Sequence, residues 1–336
     1  MRAAIFHEIG KPLSIETVAD PAPASGQAVI KLARCGICGS DLHMTSDPNH
    51  VFPCNSIPGH ELSGEVVALG PDIRHLRVGD AVTAMAIAGC GQCVPCLTGR
   101  MMLCAQRRMP MGGFGEYAAV QEDCSIRLPE GLALDDGALI EPLACGLRNV
   151  VACDVQPGER VVVLGAGAMG LAAAFWARRR GAGPIAMVAR STWRAPIAEQ
   201  MGVTHFIRSS DRLSEEVNDA LGGPPDIVFE CIGLEGMLDL AVQLVRSRGT
   251  VGGLGGHFAP DVFVPGKAML KEVRIIFTAA YDLHEFRHTA DVLARGADEA
   301  RAMVTDTIPL SALPNTLEML RGKHQHCKIL VKPGLP

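Results

Sequence analysis

The chain of 336 residues carries 48% hydrophobic and 20% charged residues, ample material for buried cores, and reads as a globular protein of two domains. Its formal net charge of −5 gives no electrostatic reason to expect nucleic acid or an anionic membrane as a partner. The opening stretch MRAAIFHEIGKPLSIE lacks the charged and apolar regions of a signal peptide, and the longest apolar runs are too short to span a bilayer, so a cytoplasmic location with reduced thiols is expected.

Over residues 1–130, short runs of Val, Ile and Ala are broken by Gly and Pro. QAVIKLARCG, GEVVALG, GDAVTAMAIAG and GFGEYAAV predict an irregular, mostly antiparallel β-domain. Within it, RCGICGSDLH places Cys38, Ser40 and His43 close together, and PGHELSGEVVALGPDI adds His60 and Glu61. AGCGQCVPCLTGRMMLC then spaces four cysteines as Cys90-x2-Cys93-x2-Cys96-x7-Cys104. In a reduced compartment this cluster points to a metal rather than to disulfides, although a Cys-x2-Cys pair is also the pattern of a redox switch. Cys35, Cys54, Cys124, Cys145, Cys153, Cys231 and Cys327 stand singly, and most read as small buried apolar residues.

LALDDGALIEPLACGLRNVVAC predicts a helix and carries Glu141. It leads into PGERVVVLGAGAMGLAAAFWARRRG, a compact apolar strand, a glycine turn and an alanine-rich helix. From there strands and helices alternate. GPIAMVAR, HFI, PDIVFECIG, GTVGGLG and VRIIFTAA read as strands; TWRAPIAEQMG, RLSEEVNDALGG and GMLDLAVQLVRSRG read as helices. Such alternation predicts an α/β, doubly wound parallel sheet covered on both faces. A last helix, LHEFRHTADVLARG, and a last strand, CKILVKPG, follow. Boundaries fall near residues 145 and 282.

Gly165-Ala166-Gly167-Ala168-Met169-Gly170 matches GxGxxG directly after the strand Val161–Leu164. In that context it predicts a dinucleotide site: a tight turn, a close approach of backbone to pyrophosphate, and close packing of helix on strand. About 20 residues further on, an acidic residue would hold a ribose 2′-hydroxyl. Here Ala189 stands in its place, followed by Arg190, Ser191 and Arg194. Arginine attracts the 2′-phosphate that a carboxylate would repel, so NADP is favoured, with NAD as the alternative. Cys231 and Leu254, at the ends of two later strands, are placed with the cofactor-binding residues.

A catalytic zinc wants three protein ligands and an open fourth position. Cys38, His60 and Glu141 would suffice, though a lone cysteine or histidine in a strand-rich domain equally serves packing. GHELSGEVVALGPDI resembles the zinc signature GHE-x2-G-x5-G-x2-[IV] of the medium-chain zinc-dependent alcohol dehydrogenases, and CGICGSDLH resembles their first-ligand segment. The four-cysteine spacing is similar to their structural zinc lobe, and the order of parts matches over essentially the whole chain.

The resemblance, closest to the polyol and sorbitol dehydrogenase branch, implies a GroES-like catalytic β-domain over 1–145, completed by 283–336, and a Rossmann domain over 146–282. It implies two zinc ions per chain. Cys38 and His60 fall on the first two catalytic ligands and Glu141 on the third. Glu61 falls on a neighbouring glutamate that approaches the metal in some members. Ser40 falls on the hydroxyl that bonds the substrate oxygen, His43 on the outer member of a proton relay, and Cys90, Cys93, Cys96 and Cys104 on the structural ligands.

The implied reaction is reversible oxidation of a secondary alcohol, diol or polyol by a homo-oligomer, dimer or tetramer, paired through the last Rossmann strands. The rival readings are a zinc-containing nucleotide-binding protein without turnover, a primary or aromatic alcohol dehydrogenase, and a zinc-free reductase of the same superfamily. Met44, Ala86 and Ile87 flank the motifs as candidate pocket residues. His7, His50, His75, His205, His257, His284, His324 and His326 read as surface or packing histidines.

Overall fold

The computed structural model describes residues 1–47 and 52–334; His50 lies outside the described residues. The chain divides into two compact units. The first comprises Met1–Glu141, Asp282–Ala297 and Val304–Pro336; the second comprises Pro142–Tyr281 with Asp298–Met303.

The first unit begins with β1 (Arg2–Ile5) paired antiparallel to β2 (Ser14–Thr17). Then come β3 (Gln27–Gly36), α1 (Gly39–Met44), β4 (Glu61–Leu69), β5 (Ala81–Ala84), α2 (Val94–Leu97), β6 (Tyr117–Gln121) and β7 (Ser125–Arg127). A 3₁₀ segment, Leu134–Leu139, runs into α3 (Ile140–Ala152), which belongs to the second unit from Pro142 on; that proline sits in the first turn and removes no helical hydrogen bond. The single helix expected over this stretch is therefore split, and Glu141 lies at the beginning of its α-helical half.

In the second unit, β8 (Val161–Leu164), α4 (Ala168–Arg179), β9 (Ile185–Ala189), α5 (Ala195–Gln200), β10 (His205–Arg208), α6 (Leu213–Leu221), β11 (Ile227–Glu230), α7 (Met237–Leu244), β12 (Thr250–Gly253), α8 (Pro265–Leu270) and β13 (Arg274–Phe277) alternate. Their sheet is parallel throughout, in the order β10-β9-β8-β11-β12-β13. The order reverses between β8 and β11. In open sheets of this kind the crevice at the carboxyl ends of such a pair takes the ligand. β8, β11 and β12 are buried along their full length, which explains their unbroken runs of apolar and small residues.

The chain then returns to the first unit with α9 (Leu283–Ala294), β14 (Val304–Pro309), α10 (Leu313–Leu320) and β15 (Lys328–Lys332). β15 pairs antiparallel with β3 and parallel with β14, so the C-terminal strand completes the seven-stranded sheet β14-β15-β3-β4-β5-β7, with β6 on β3. Its core packs Phe6, Ile30, Val66, Val82 and Phe114 with Leu313, Leu317 and Val331. The last strand is thus part of the framework that holds the site. No helix of the described residues is long and apolar enough to cross a membrane.

Candidate active site

Two groups of three or more metal-ligating side chains converge among the described residues, and both lie in the first unit. In the first group, Cys38, His60 and Glu61 bring a ligand atom each within 4.8 Å of one another. Cys38 caps the N-terminus of α1, while His60 and Glu61 stand where the chain enters β4. The antiparallel register sets Glu61 opposite Gly36, and a Cβ at Gly36 would lie 2.0 Å from a Glu61 carboxylate oxygen. Only glycine leaves room there for the carboxylate to turn inward.

The tight group differs from the expected one. Glu141 is buried but stands outside the 4.8 Å group, and Glu61 takes the place beside Cys38 and His60. Glu61 is held by the buried ammonium of Lys328, at 2.6 and 2.7 Å from its two oxygens; Lys328 also donates to the Ile37 carbonyl at 3.0 Å. Burial opposes the Lys328 charge, but the adjoining Glu61 carboxylate, with Cys38 and Glu141 nearby, holds its pKa above the ordinary ammonium value. The sequence does carry one signal for Lys328: a lysine opening the apolar run KILV of a strand, where it is 1% exposed.

Asp41 is the other residue that motif reasoning passed over. It is fully buried, its Oδ2 accepts the Cys38 backbone N–H at 2.9 Å, and its Oδ1 lies 3.5 Å from His60 Nδ1. A carboxylate behind an imidazole fixes which ring nitrogen carries the proton and leaves the other free to ligate. Burial opposes an imidazolium at His60, but Asp41 and the Cys38 sulfur outweigh it and raise its pKa well above the usual value. The pocket therefore favours positive charge. Together with a donor set of thiol, imidazole and carboxylate, this suits a borderline-soft divalent cation such as zinc.

Ser40 contributes a buried hydroxyl with no hydrogen-bond partner, and His43, three positions on along α1, is exposed. The pair thus runs from a buried donor toward solvent. Of the flanking pocket candidates, Ala86 and Ile87 are buried and Met44 is half-buried.

The second group is Cys90, Cys93, Cys96 and Cys104. Cys93 and Cys96 sulfurs are 3.4 Å apart, Cys90 and Cys96 sulfurs 3.9 Å, and all four cysteines are free. Backbone groups of Gln92 and Cys93 lower the Cys90 thiol to about 6, and the backbone of Cys90 helps hold Cys104 low. Cys93 goes the other way: the backbone of Cys96 lowers it, but the neighbouring sulfurs and burial push it up to about 12. Four thiolates cannot coexist at this spacing without a cation, and with one bound no coordination position stays open. His324 and His326 stack with ring centres 6.3 Å apart and belong to neither group.

In the second unit the glycine turn has the geometry that its three roles require. Gly165 has φ +102°, and a Cβ there would meet Ile232 at 2.8 Å. A Cβ at Gly167 meets nothing within 4 Å, leaving open space before α4, and one at Gly170 would lie 1.9 Å from the Gly165 carbonyl oxygen. Cys231 and Leu254 follow β11 and β12 directly, with both of their backbone N–H groups in the ladder. Arg190 and Ser191 are exposed past the end of β9; Arg194 instead lays its guanidinium over the Trp193 ring at 4.4 Å.

Comparison with known proteins gives the family. The family profile "Alcohol dehydrogenase GroES-like domain" matches residues 24–130 and "Zinc-binding dehydrogenase" matches 168–295. The chain is 31% identical to sorbitol dehydrogenase of Bacillus subtilis over 99% of its own length and 98% of that protein. It is 30% identical to the (R,R)-butanediol dehydrogenase of the same organism, over 99% and 100%. A crystal structure of a zinc-binding dehydrogenase from Sinorhizobium meliloti, bound to NADP, superposes with a TM-score of 0.90 at 28% identity, covering 99% of both chains. With a GroES-like and a zinc-binding dehydrogenase match across most of its length, the chain belongs to the medium-chain zinc-dependent alcohol dehydrogenase family, in its polyol-dehydrogenase-like branch.

Proposed function

We propose that the chain is a zinc-dependent, NAD(P)-linked dehydrogenase that reversibly converts a secondary alcohol, diol or polyol and NAD(P)⁺ to a carbonyl, NAD(P)H and a proton. The observation that carries this reading is the convergence of Cys38, His60 and a buried carboxylate in a pocket with the partnerless Ser40 hydroxyl. Two zinc ions per chain are assigned. One would be held by Cys38, His60 and Glu141, because both oxygens of the nearer Glu61 are engaged by Lys328, which leaves Glu61 in reserve; the other would be held by the four cysteines. When bound, the first supplies Lewis acidity to the alcohol oxygen and the nicotinamide supplies a hydride acceptor.

The chain's own residues do the rest. Ser40 can accept the alcohol proton and donate its own, and the exposed His43 would pass a proton on to solvent. Asp41 keeps the His60 ring oriented. The relatives' names, sorbitol and butanediol dehydrogenase, support a substrate bearing vicinal or multiple hydroxyls. A cytoplasmic setting is proposed with it, since thiols stay reduced there and available to a metal.

NADP is the assigned dinucleotide, supported by the exposed Arg190 and Ser191 beside Ala189 and by the NADP in the Sinorhizobium relative. The test is absorbance at 340 nm with a panel of diols and polyols and each dinucleotide. Arg190→Asp should move the NADP-to-NAD ratio of kcat/KM toward NAD by roughly tenfold to a hundredfold, the worth of a charge-assisted hydrogen bond. An unchanged ratio removes Arg190 from the site; no turnover with any alcohol removes the dehydrogenase reading itself.

The chain is also assigned as a homo-oligomer joined through β13. Among the described residues that strand is the last of its sheet with one edge unpaired, and its own Phe277 and the preceding Leu270 and Met269 are 70%, 83% and 70% exposed. Light scattering should give a multiple of the 35.5 kDa chain mass; a monomer at micromolar concentration would refute it.

A further inference from the structure

α1 is six residues long, too short to hold its own shape, yet it carries Ser40, Asp41 and His43. One carbonyl of its last turn, that of Leu42, is held from outside by a residue almost 280 positions away. Arg321, just past α10, donates Nη1 to the Leu42 carbonyl at 2.8 Å and Nη2 to Thr45 Oγ1 at 2.8 Å. Its Nε is anchored on both Glu318 oxygens, at 3.1 and 3.2 Å. A cation at a helix C-terminus is favourable in itself. The planar guanidinium adds a fork that meets two acceptors at once.

The connection continues inward. Thr45 is buried, and with its single proton spent on the Asp41 carbonyl, at 2.7 Å, its hydroxyl meets Arg321 as an acceptor. Asp41 in turn faces both candidate ligands, through Cys38 N–H at 2.9 Å and His60 Nδ1 at 3.5 Å. Glu318, Arg321, Thr45, Asp41 and His60 thus form one contact chain from the C-terminal helix to the metal pocket, all inside the first unit.

We propose that Arg321 is a positioning residue: by pinning the last turn of α1 through Leu42 and Thr45, it sets where Asp41 stands and so how firmly Cys38 and His60 hold their metal. This rests on the assignment of Cys38 and His60 as zinc ligands. The hydrogen bonds of Arg321 go to Glu318, Leu42 and Thr45, none of them a candidate ligand, so its influence would pass through α1.

The experiment compares zinc-loaded parent, Arg321→Ala, Arg321→Lys and Thr45→Val for the rate at which each gives up zinc to a chromogenic chelator. Outer residues behind metal ligands change affinity by about tenfold to a hundredfold. Arg321→Ala and Thr45→Val should speed release from the Cys38 site by about tenfold or more and lower kcat, with zinc in the four-cysteine site and the KM for dinucleotide unchanged. Arg321→Lys should recover only part, since a point charge replaces the fork. A merely structural contact would lower the melting temperature and leave the ratio of the two release rates as in the parent, which would overturn the proposal. Should Arg321→Ala fail to fold, Thr45→Val cuts the same chain without removing a charge and decides the matter alone. If Cys38→Ala binds as much zinc as the parent, the ligand assignment has failed rather than the positioning role.

Discussion

Cys38→Ala should lower kcat/KM for any alcohol by about a thousandfold or more while leaving dinucleotide affinity unchanged. The size follows from what the residue holds in place. Lewis-acid polarisation of a substrate oxygen is worth several kcal/mol, and each 1.36 kcal/mol is a factor of ten in rate. Removing Cys38 takes away the thiolate of a three-member set, and the remaining imidazole and carboxylates are a poor zinc site. Glycines 165, 167 and 170 belong to the other unit, so dinucleotide affinity measured by fluorescence titration is the control. A Cys38→Ala protein with parental turnover would refute the metal assignment.

Metal removal gives the matching result in the unaltered protein. A site of one thiolate, one imidazole and hard carboxylates exchanges more readily than a closed set of four thiolates. A chelator should therefore strip one zinc quickly, with loss of turnover, and the second slowly. Equal resistance at both sites would contradict the softness argument. The fast-released ion should be absent from Cys38→Ala and present in a variant of the four-cysteine lobe.

The parts of this arrangement that were legible in the sequence are the local ones. GxGxxG after VVVL is a contiguous pattern, because turn, strand and helix are neighbours in the chain. The four cysteines lie within fifteen residues, so their spacing alone suggests a shared ion. What the sequence hid is the set of contacts made across long separations. Lys328 meets Glu61 over 267 positions, and Arg321 meets Thr45 over 276. Neither has a local pattern beyond a charge inside or beside an apolar run. The choice between Glu61 and Glu141 was hidden for the same reason. It depends on the β3 to β4 register that sets Glu61 over Gly36, and on a C-terminal strand that brings an ammonium to it. Asp41 was visible as a letter in CGSDLH, and its role becomes readable only once α1 is seen to point its carboxylate at His60.

Lys328→Met should lower the melting temperature of the metal-free protein by on the order of 10 °C. Breaking a buried ion pair by removing one partner costs about 3–5 kcal/mol, because the surviving charge is left buried and unpaired; in a unit of this size each kcal/mol moves the transition by about 2–4 °C. Here the survivor is Glu61, fully buried under β3. The pair's pH dependence has a definite sign. The folded pKa of Lys328 is raised above the unfolded value of about 10.4, so its contribution is complete below that pH and fades only as pH climbs through the folded value. Melts of the parent should therefore show no loss of this contribution between roughly pH 6 and 9. Glu61→Gln/Lys328→Met, which removes both charges, should regain most of the loss, as coupled neighbours do. Zinc then separates the two carboxylates. If Glu61 can turn to the metal once Lys328 lets it go, the ion replaces the missing ammonium, and zinc raises the melting temperature of Lys328→Met by more than that of the parent. If Glu141 alone completes the site, zinc raises both by the same amount and the gap of about 10 °C persists in the loaded protein.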